Sequence, residues 1–128
     1  INSIYSKNLS KHQRIIIIHL DSRSKKERID VFFYYHKNSS SGRAIAKTLH
    51  ETFKTKYKEF QPGRKYYGTI APRSTLYMLD KTKPVSVFIE LGNIQNSNDQ
   101  RRFAISSNRQ ALAKWIGEGL IRDYHQYQ

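Results

Sequence analysis

The sequence contains no cysteine. That excludes disulfides and thiolate metal ligands and leaves the redox compartment open. No apolar run approaches the roughly 20 residues of a membrane-spanning helix, and no secretory signal-peptide pattern is present. Acidic residues are scarce: 10 Asp and Glu stand against 23 Lys and Arg, a formal net charge of +13. Such a balance suits an acidic polymer partner, whether nucleic acid, anionic lipid or an anionic wall polymer. Internal repeats and low-complexity segments are absent. The chain of 128 residues is long enough for one domain with a modest core and too short for two, and with 38% apolar residues it should fold. It opens on Ile1 rather than Met, and so reads as a processed or truncated piece of something longer.

The hydrophobic pattern divides the chain into strands and helices. Ile1 to Gln13 is polar, with apolar residues spaced as in the tail of an amphipathic helix. Arg14 to Leu20 carries four consecutive isoleucines, which predict a buried central strand. Ser22 to Glu27 reads as a basic, solvated turn, and Arg28 to Tyr35 as a second strand rich in aromatic and β-branched residues. Asn38-Ser39-Ser40-Ser41 supplies cap residues for a helix from about Ser41 to Tyr57, whose stripe is Ile45, Leu49, Phe53 and Tyr57. Glu59 to Ser74 holds Pro62-Gly63, Gly68 and Pro72 and reads as a loop. Thr75 to Leu79 reads as a short strand. Ser107 and Gln110 have capping-box spacing ahead of a closing helix from about Asn108 to Tyr124, in which Gly117 and Gly119 suggest close packing on the sheet.

Val85 to Leu91 is an apolar run long enough for a strand buried on both faces, and it contains one carboxylate, Glu90. A carboxylate at the end of a buried strand costs free energy unless it is paired, hydrogen-bonded or working. Gly92 then allows a sharp turn, with Asn93, Asn96, Asn98 and Asp99 as polar turn residues. His19 also sits near the carboxyl end of its strand, and can be a satisfied core histidine or a ligand. If the two strands are parallel in one sheet, His19 and Glu90 open on the same edge, where open α/β sheets bind ligands. His50-Glu51 does not make a metalloprotease motif, because Lys54 stands where the second histidine is needed. Arg64-Lys65-Tyr66-Tyr67 combines cations with aromatic faces, the best nucleic-acid-like feature in the chain.

The stretch Glu90-Leu91-Gly92-Asn93-Ile94-Gln95-Asn96, followed by Asp99, resembles the zinc-dependent N-acetylmuramoyl-L-alanine amidases, cell-wall enzymes with a late catalytic glutamate. Asn93 departs from the family's usual aromatic and Gln95 from its hydroxyl residue; neither change removes a group that does chemistry. Ile18-His19 and Asp21 match the family's second zinc histidine, while Ile17 and Leu20 are larger than usual. Met78-Leu79 keeps an apolar pair, with Asp80 where a basic residue is common. The resemblance runs from about Arg14 to Tyr124 in the family's order.

The resemblance implies an α/β fold with a largely parallel sheet flanked by helices on both faces, of the zinc amidase and exopeptidase kind. Residues 1–128 would form a single domain, the later portion of the catalytic domain, with its N-terminal part absent from this chain. It implies hydrolysis of the amide between N-acetylmuramic acid and L-alanine, with Zn2+ as cofactor, Glu90 as catalytic base and acid, and His19 as a metal ligand. The remaining ligands, a His and a Glu, are expected upstream of Ile1; nothing in this sequence matches them, so this chain alone is expected to be inactive and to bind zinc weakly. Should it bind zinc tightly, His12, His36 and Asp21 are the other donors to consider. The implied partner is peptidoglycan, with anionic wall or envelope polymers as further partners, in the periplasmic or extracellular envelope of a bacterium. No residue is assigned to substrate binding. One rival is a catalytically inactive relative that binds or regulates at the cell wall; the other, less favoured, is a basic nucleic-acid-binding domain.

Overall fold

The apolar run singled out above is the centre of the sheet. Its strand, β4 (Val85–Asn93), is buried along nearly all of its length. The computed structural model describes residues 1–126. Around β4 lie β1 (Arg14–Asp21), β2 (Phe32–Tyr35) and β3 (Thr69–Pro72), in the order β1-β4-β2-β3. β1 pairs parallel with β4, and β3 pairs parallel with β2. The β2–β4 pairing is antiparallel, so the sheet is mixed, with two of its three pairings parallel.

The helices are α1 (Asn2–Lys7), α2 (Ser40–Phe60), α3 (Tyr77–Lys81), α4 (Ser97–Ala104) and α5 (Ser106–Gln126). Ser39 caps α2, its Oγ accepting the Gly42 N–H at 2.9 Å, an arrangement worth about 1 kcal/mol. The predicted stripe of Ile45, Leu49, Phe53 and Tyr57 is buried against the sheet together with Trp115 and Ile116 of α5. Phe53 meets Phe33 and Trp115 edge-on, with ring centroids 5.3 and 5.6 Å apart. The other face of the sheet is covered more thinly, by Leu79 of α3 and its neighbours Leu76 and Met78, which pack on Tyr34 and Phe88. Helices therefore flank both faces, as expected.

Several local expectations are corrected. Among the described residues β1 lies at the edge of the sheet rather than at its centre: Ile18 is 57% exposed and Leu20 37%. A run of isoleucines specifies an extended backbone but not how many neighbours the strand has. The strand expected over Arg28 to Tyr35 shrinks to β2, because Asp30 takes a left-handed backbone (φ 52°) that interrupts it. The Thr75–Leu79 segment is not a strand; its apolar residues belong to the single-turn α3. A strand instead forms inside the supposed loop: β3 adds to the edge of the sheet, where its terminal Pro72 is tolerated. α4 forms where the sequence shows only polar turn residues, and the residues it buries are Asp99 and Arg102. Ser107 lies inside α5 rather than at its cap. Gly119 does allow close packing, but on α2: an added Cβ would lie 2.7 Å from Leu49 Cδ2, while at Gly117 it would meet nothing within 4 Å.

Candidate active site

Glu90 and His19 are register partners across the parallel β1–β4 pair. Alternation along β4 sends Val87 and Ile89 to the α2–α5 face and Phe88 and Glu90 to the α3 face. His19 Nδ1 lies 3.1 Å from Glu90 Oε1 and 3.0 Å from Oε2. The Glu90 carboxylate is buried, whereas the imidazole is more than half exposed. With Nδ1–H donating to the carboxylate, Nε2 is the nitrogen left for another partner. The His19 ring also packs on Phe88, centroids 5.5 Å apart.

Burial raises the pKa of Glu90 above its ordinary value of 4.5, against the opposing hydrogen bond and charge of His19. A buried carboxylate that holds its proton more tightly than usual, at a sheet edge beside an open imidazole nitrogen, can accept a proton from water and return it. Asp21, two residues beyond His19, is less available. Its Oδ1 accepts the Ser22 N–H at 2.8 Å and its Oδ2 is taken by the Arg23 guanidinium.

The segment after Glu90 is built for rigidity. Gly92 does not turn the chain with a left-handed backbone, as no glycine has positive φ. It stays in β4 and makes room for α4, since a Cβ there would lie 2.8 Å from Phe103 Cε1 and 3.2 Å from Asp99 Cβ. Asn93, where the resemblance predicts an aromatic, is fully buried. Its Nδ2 donates to the carbonyls of Ser24 and Glu27 at 2.9 and 2.7 Å, and its Oδ1 accepts the N–H groups of Arg23 and Gln95, both at 3.0 Å. The basic segment from Ser22 to Glu27 is therefore fastened to the end of β4 rather than being a free solvated turn. Asn96 caps α4 by accepting the N–H groups of Asn98 and Asp99.

The other candidates fall elsewhere. His12 precedes β1 and lies edge-on to Tyr124, centroids 5.2 Å apart, and His36 follows β2 and accepts the Asn38 N–H at 3.2 Å. Both therefore sit at the end of the sheet opposite Glu90. Among the described residues no group of three or more His, Cys, Asp or Glu could hold a metal ion. Half of the cationic-aromatic loop is taken up by packing: Tyr66 stacks on Tyr57, centroids 5.2 Å apart, and Arg64 is tied to buried Asp30, whereas Lys65 and Tyr67 are exposed. A cavity of about 370 Å³ between α2 and α5, floored by Tyr57 and Trp115, opens on the α2–α5 face, away from Glu90.

Residues 3–122 match the family model described as N-acetylmuramoyl-L-alanine amidase. The chain belongs to that family. Among solved structures it is similar to the amidase AmiC2 of Nostoc punctiforme, with 22% identity and TM-score 0.73 over 98% of this chain and 63% of that one. The apo amidase Ami1 of Mycobacterium abscessus gives 20% identity and TM-score 0.77, covering 96% of this chain and 59% of that one. The catalytic domain of the amidase CwlV from Bacillus (Paenibacillus) polymyxa gives 20% identity and TM-score 0.72, covering 99% and 64%. No curated protein sequence matches significantly. The amidase fold is thus present, and this chain spans somewhat less than two thirds of the length of these solved amidases.

Sequence reasoning missed two residues beside the site. Arg23 donates from Nη2 to the Tyr34 hydroxyl at 3.1 Å, and the Arg73 guanidinium lies over the Tyr34 ring, 5.1 Å from its centroid. Neither belongs to a recognisable motif: Arg23 follows β1 and is fastened to the end of β4 through Asn93, while the main chain of Arg73 lies at the far end of β3 and its side chain reaches back over the Tyr34 ring.

Proposed function

We propose that the complete protein hydrolyses the amide joining the lactyl group of N-acetylmuramic acid to L-alanine in peptidoglycan, with Glu90 as the proton carrier. The observation that carries this is the buried Glu90 carboxylate, with raised proton affinity, paired to His19 at the carboxyl edge of an amidase-family sheet. Glu90 takes a proton from the attacking water, and the hydroxide adds to the carbonyl carbon. Glu90 then gives the proton to the amide nitrogen, the C–N bond breaks, and a lactyl carboxylate and a free alanine amine result.

A catalytic zinc takes three protein ligands, and the described residues do not group three donors. This chain therefore does not fit zinc by itself. We assign His19 Nε2 as the one ligand it offers; zinc, when bound, supplies Lewis acidity and a more acidic water. The placement of the protein in the cell envelope, periplasmic or extracellular, and an attraction of its +13 charge to anionic wall polymers belong to the same proposal. Of the stretch behind the less favoured nucleic-acid reading, Tyr66 and Arg64 are engaged within the fold and Lys65 and Tyr67 are exposed. No helix among the described residues is long and apolar enough to cross a membrane.

One observation favours a second reading. Both Glu90 oxygens face His19, so Glu90 can serve instead as the carboxylate that orients a metal-bound imidazole, which also suits a relative that binds the wall without cutting it. Glu90→Gln in the complete protein separates the two. A proton carrier predicts turnover reduced by roughly 10² to 10⁴ with zinc affinity unchanged. An orienting carboxylate predicts zinc affinity reduced by about 10- to 100-fold. Near-normal turnover would remove Glu90 from the mechanism.

A further inference from the structure

Glu90 shares its face of the sheet with Phe88 and Tyr34, and Tyr34 is the register partner of Phe88. Phe32 is the register partner of Glu90, so Tyr34 is the diagonal neighbour of the carboxylate on the adjacent strand, about 7–8 Å away. Two guanidinium groups border Tyr34. Arg23 is fully engaged, donating to Asp21, to Glu27 Oε1 at 2.7 Å and to the Tyr34 hydroxyl. Arg73 is different. Its backbone N–H donates to the Tyr35 carbonyl at 2.9 Å, fixing the main chain just beyond β3. Its exposed guanidinium rests on the Tyr34 ring, and no carboxylate among the described residues forms an ion pair with it. The aromatic face holds the planar cation without using its N–H donors, which leaves the bidentate edge for another molecule.

We propose that Arg73 is a substrate-recognition residue that binds a carboxylate on the peptide side of the scissile amide, so that the site selects acidic stem peptides over amidated ones. This rests on the amidase reading and deepens it. A planar guanidinium matches a carboxylate through two parallel N–H···O bonds and matches a carboxamide poorly, since the amide nitrogen is a donor.

The experiment uses the complete protein carrying Glu90→Gln, so that the probe is not consumed. The probes are N-acetylmuramoyl-L-alanyl-D-glutamate and the analogue with the α-carboxylate as a carboxamide, each titrated by calorimetry. The acid should bind about tenfold more tightly than the amide, and the preference should shrink as salt rises. Adding Arg73→Gln should abolish the preference by weakening the acid alone, and Arg73→Lys should restore part of it. Equal binding of the two probes, or a preference that survives Arg73→Gln, overturns the role of Arg73 and leaves the amidase reading standing. Binding of neither probe overturns both.

Discussion

The Asn93 backbone N–H donates to Asp99 Oδ2 at 3.1 Å, which joins the end of the strand bearing Glu90 to the first turn of α4. The same oxygen accepts the Ile29 N–H at 3.0 Å. The other, Oδ1, accepts the Asp30 N–H at 3.2 Å and Arg102 Nη1 at 3.0 Å. Arg102 continues outward to the Leu91 carbonyl and the Tyr57 hydroxyl, both at 2.7 Å. One buried carboxylate thus fixes the approach to β2, the end of β4 and a helix.

Asp99→Asn should therefore be strongly destabilising despite its near-identical shape. Both carboxylate oxygens face donors only, so either orientation of the amide sets an NH₂ group against N–H groups and leaves Arg102 with only its longer ion pair to Asp30, at 3.8 Å. The expected loss is about 3–5 kcal/mol, read from urea unfolding. A loss below about 1 kcal/mol, the level of an ordinary surface change, would show that the network does not act as a clamp.

The two glycines of α5 should respond in opposite directions. Gly119→Ala drives a methyl to 2.7 Å from Leu49 Cδ2, and Leu49 is fully buried with little room to yield. The expected cost is about 1–3 kcal/mol. Gly117→Ala meets nothing within 4 Å and should stabilise by about 0.5–1 kcal/mol, because alanine loses less backbone freedom in a helix. Thermal melts of both variants test the pair; equal shifts would contradict the packing described.

Glu90 should leave a signature in stability as a function of pH. Its folded-state pKa lies above the ordinary 4.5, so the folded protein holds that proton more tightly than the unfolded chain does. The resulting stabilisation is fully present below pH 4.5 and is lost as pH rises through the raised value. Wild type should therefore gain stability relative to Glu90→Gln on acidification from neutral pH. Urea melts at several pH values on both proteins measure the difference; a gap that widens in the opposite sense would mean that His19 holds the carboxylate ionised more strongly than burial opposes it.

The isolated chain should bind zinc weakly, since His19 and Glu90 are the donors it brings together at the site and Asp21 is engaged by Arg23. Calorimetric titration with zinc checks this. Tight stoichiometric binding would reveal a ligand set that the described residues do not form. If the complete protein uses zinc as proposed, a chelator should abolish hydrolysis while leaving this chain's fold intact, because its core is a cluster of apolar side chains.

The parts of the fold legible in the sequence are those with a long or unambiguous pattern. The four-residue stripe of α2 and the unbroken apolar run of β4 could be read directly, and so could the shared edge of His19 and Glu90 once both strands were placed. β1 was legible as a strand but not as an edge, because neighbour count is a tertiary property. The five residues of α3 are too few to tell a helical period from a strand period. β3 was hidden by the glycines and prolines around it, and α4 by its polarity, its formation resting on the Asn96 cap and on Asp99. Arg73 could not be found at all: its position depends on a ring in another strand, and no local spacing encodes that.

The open side of β1 also governs how this chain behaves in solution. Among the described residues no strand pairs with its outer edge, and Ile18 and Leu20 stand partly exposed there. Such an edge is a template for strand addition by a second copy. What opposes it is the net charge of +13 on each chain, a repulsion that works through water and ions. Salt shortens its reach, to about 3 Å at 1 M, while strengthening nothing in the fold that would shield the edge. Light scattering should therefore show the isolated chain monodisperse in dilute buffer and self-associating as salt is added. Ionic strength becomes the control on its colloidal state.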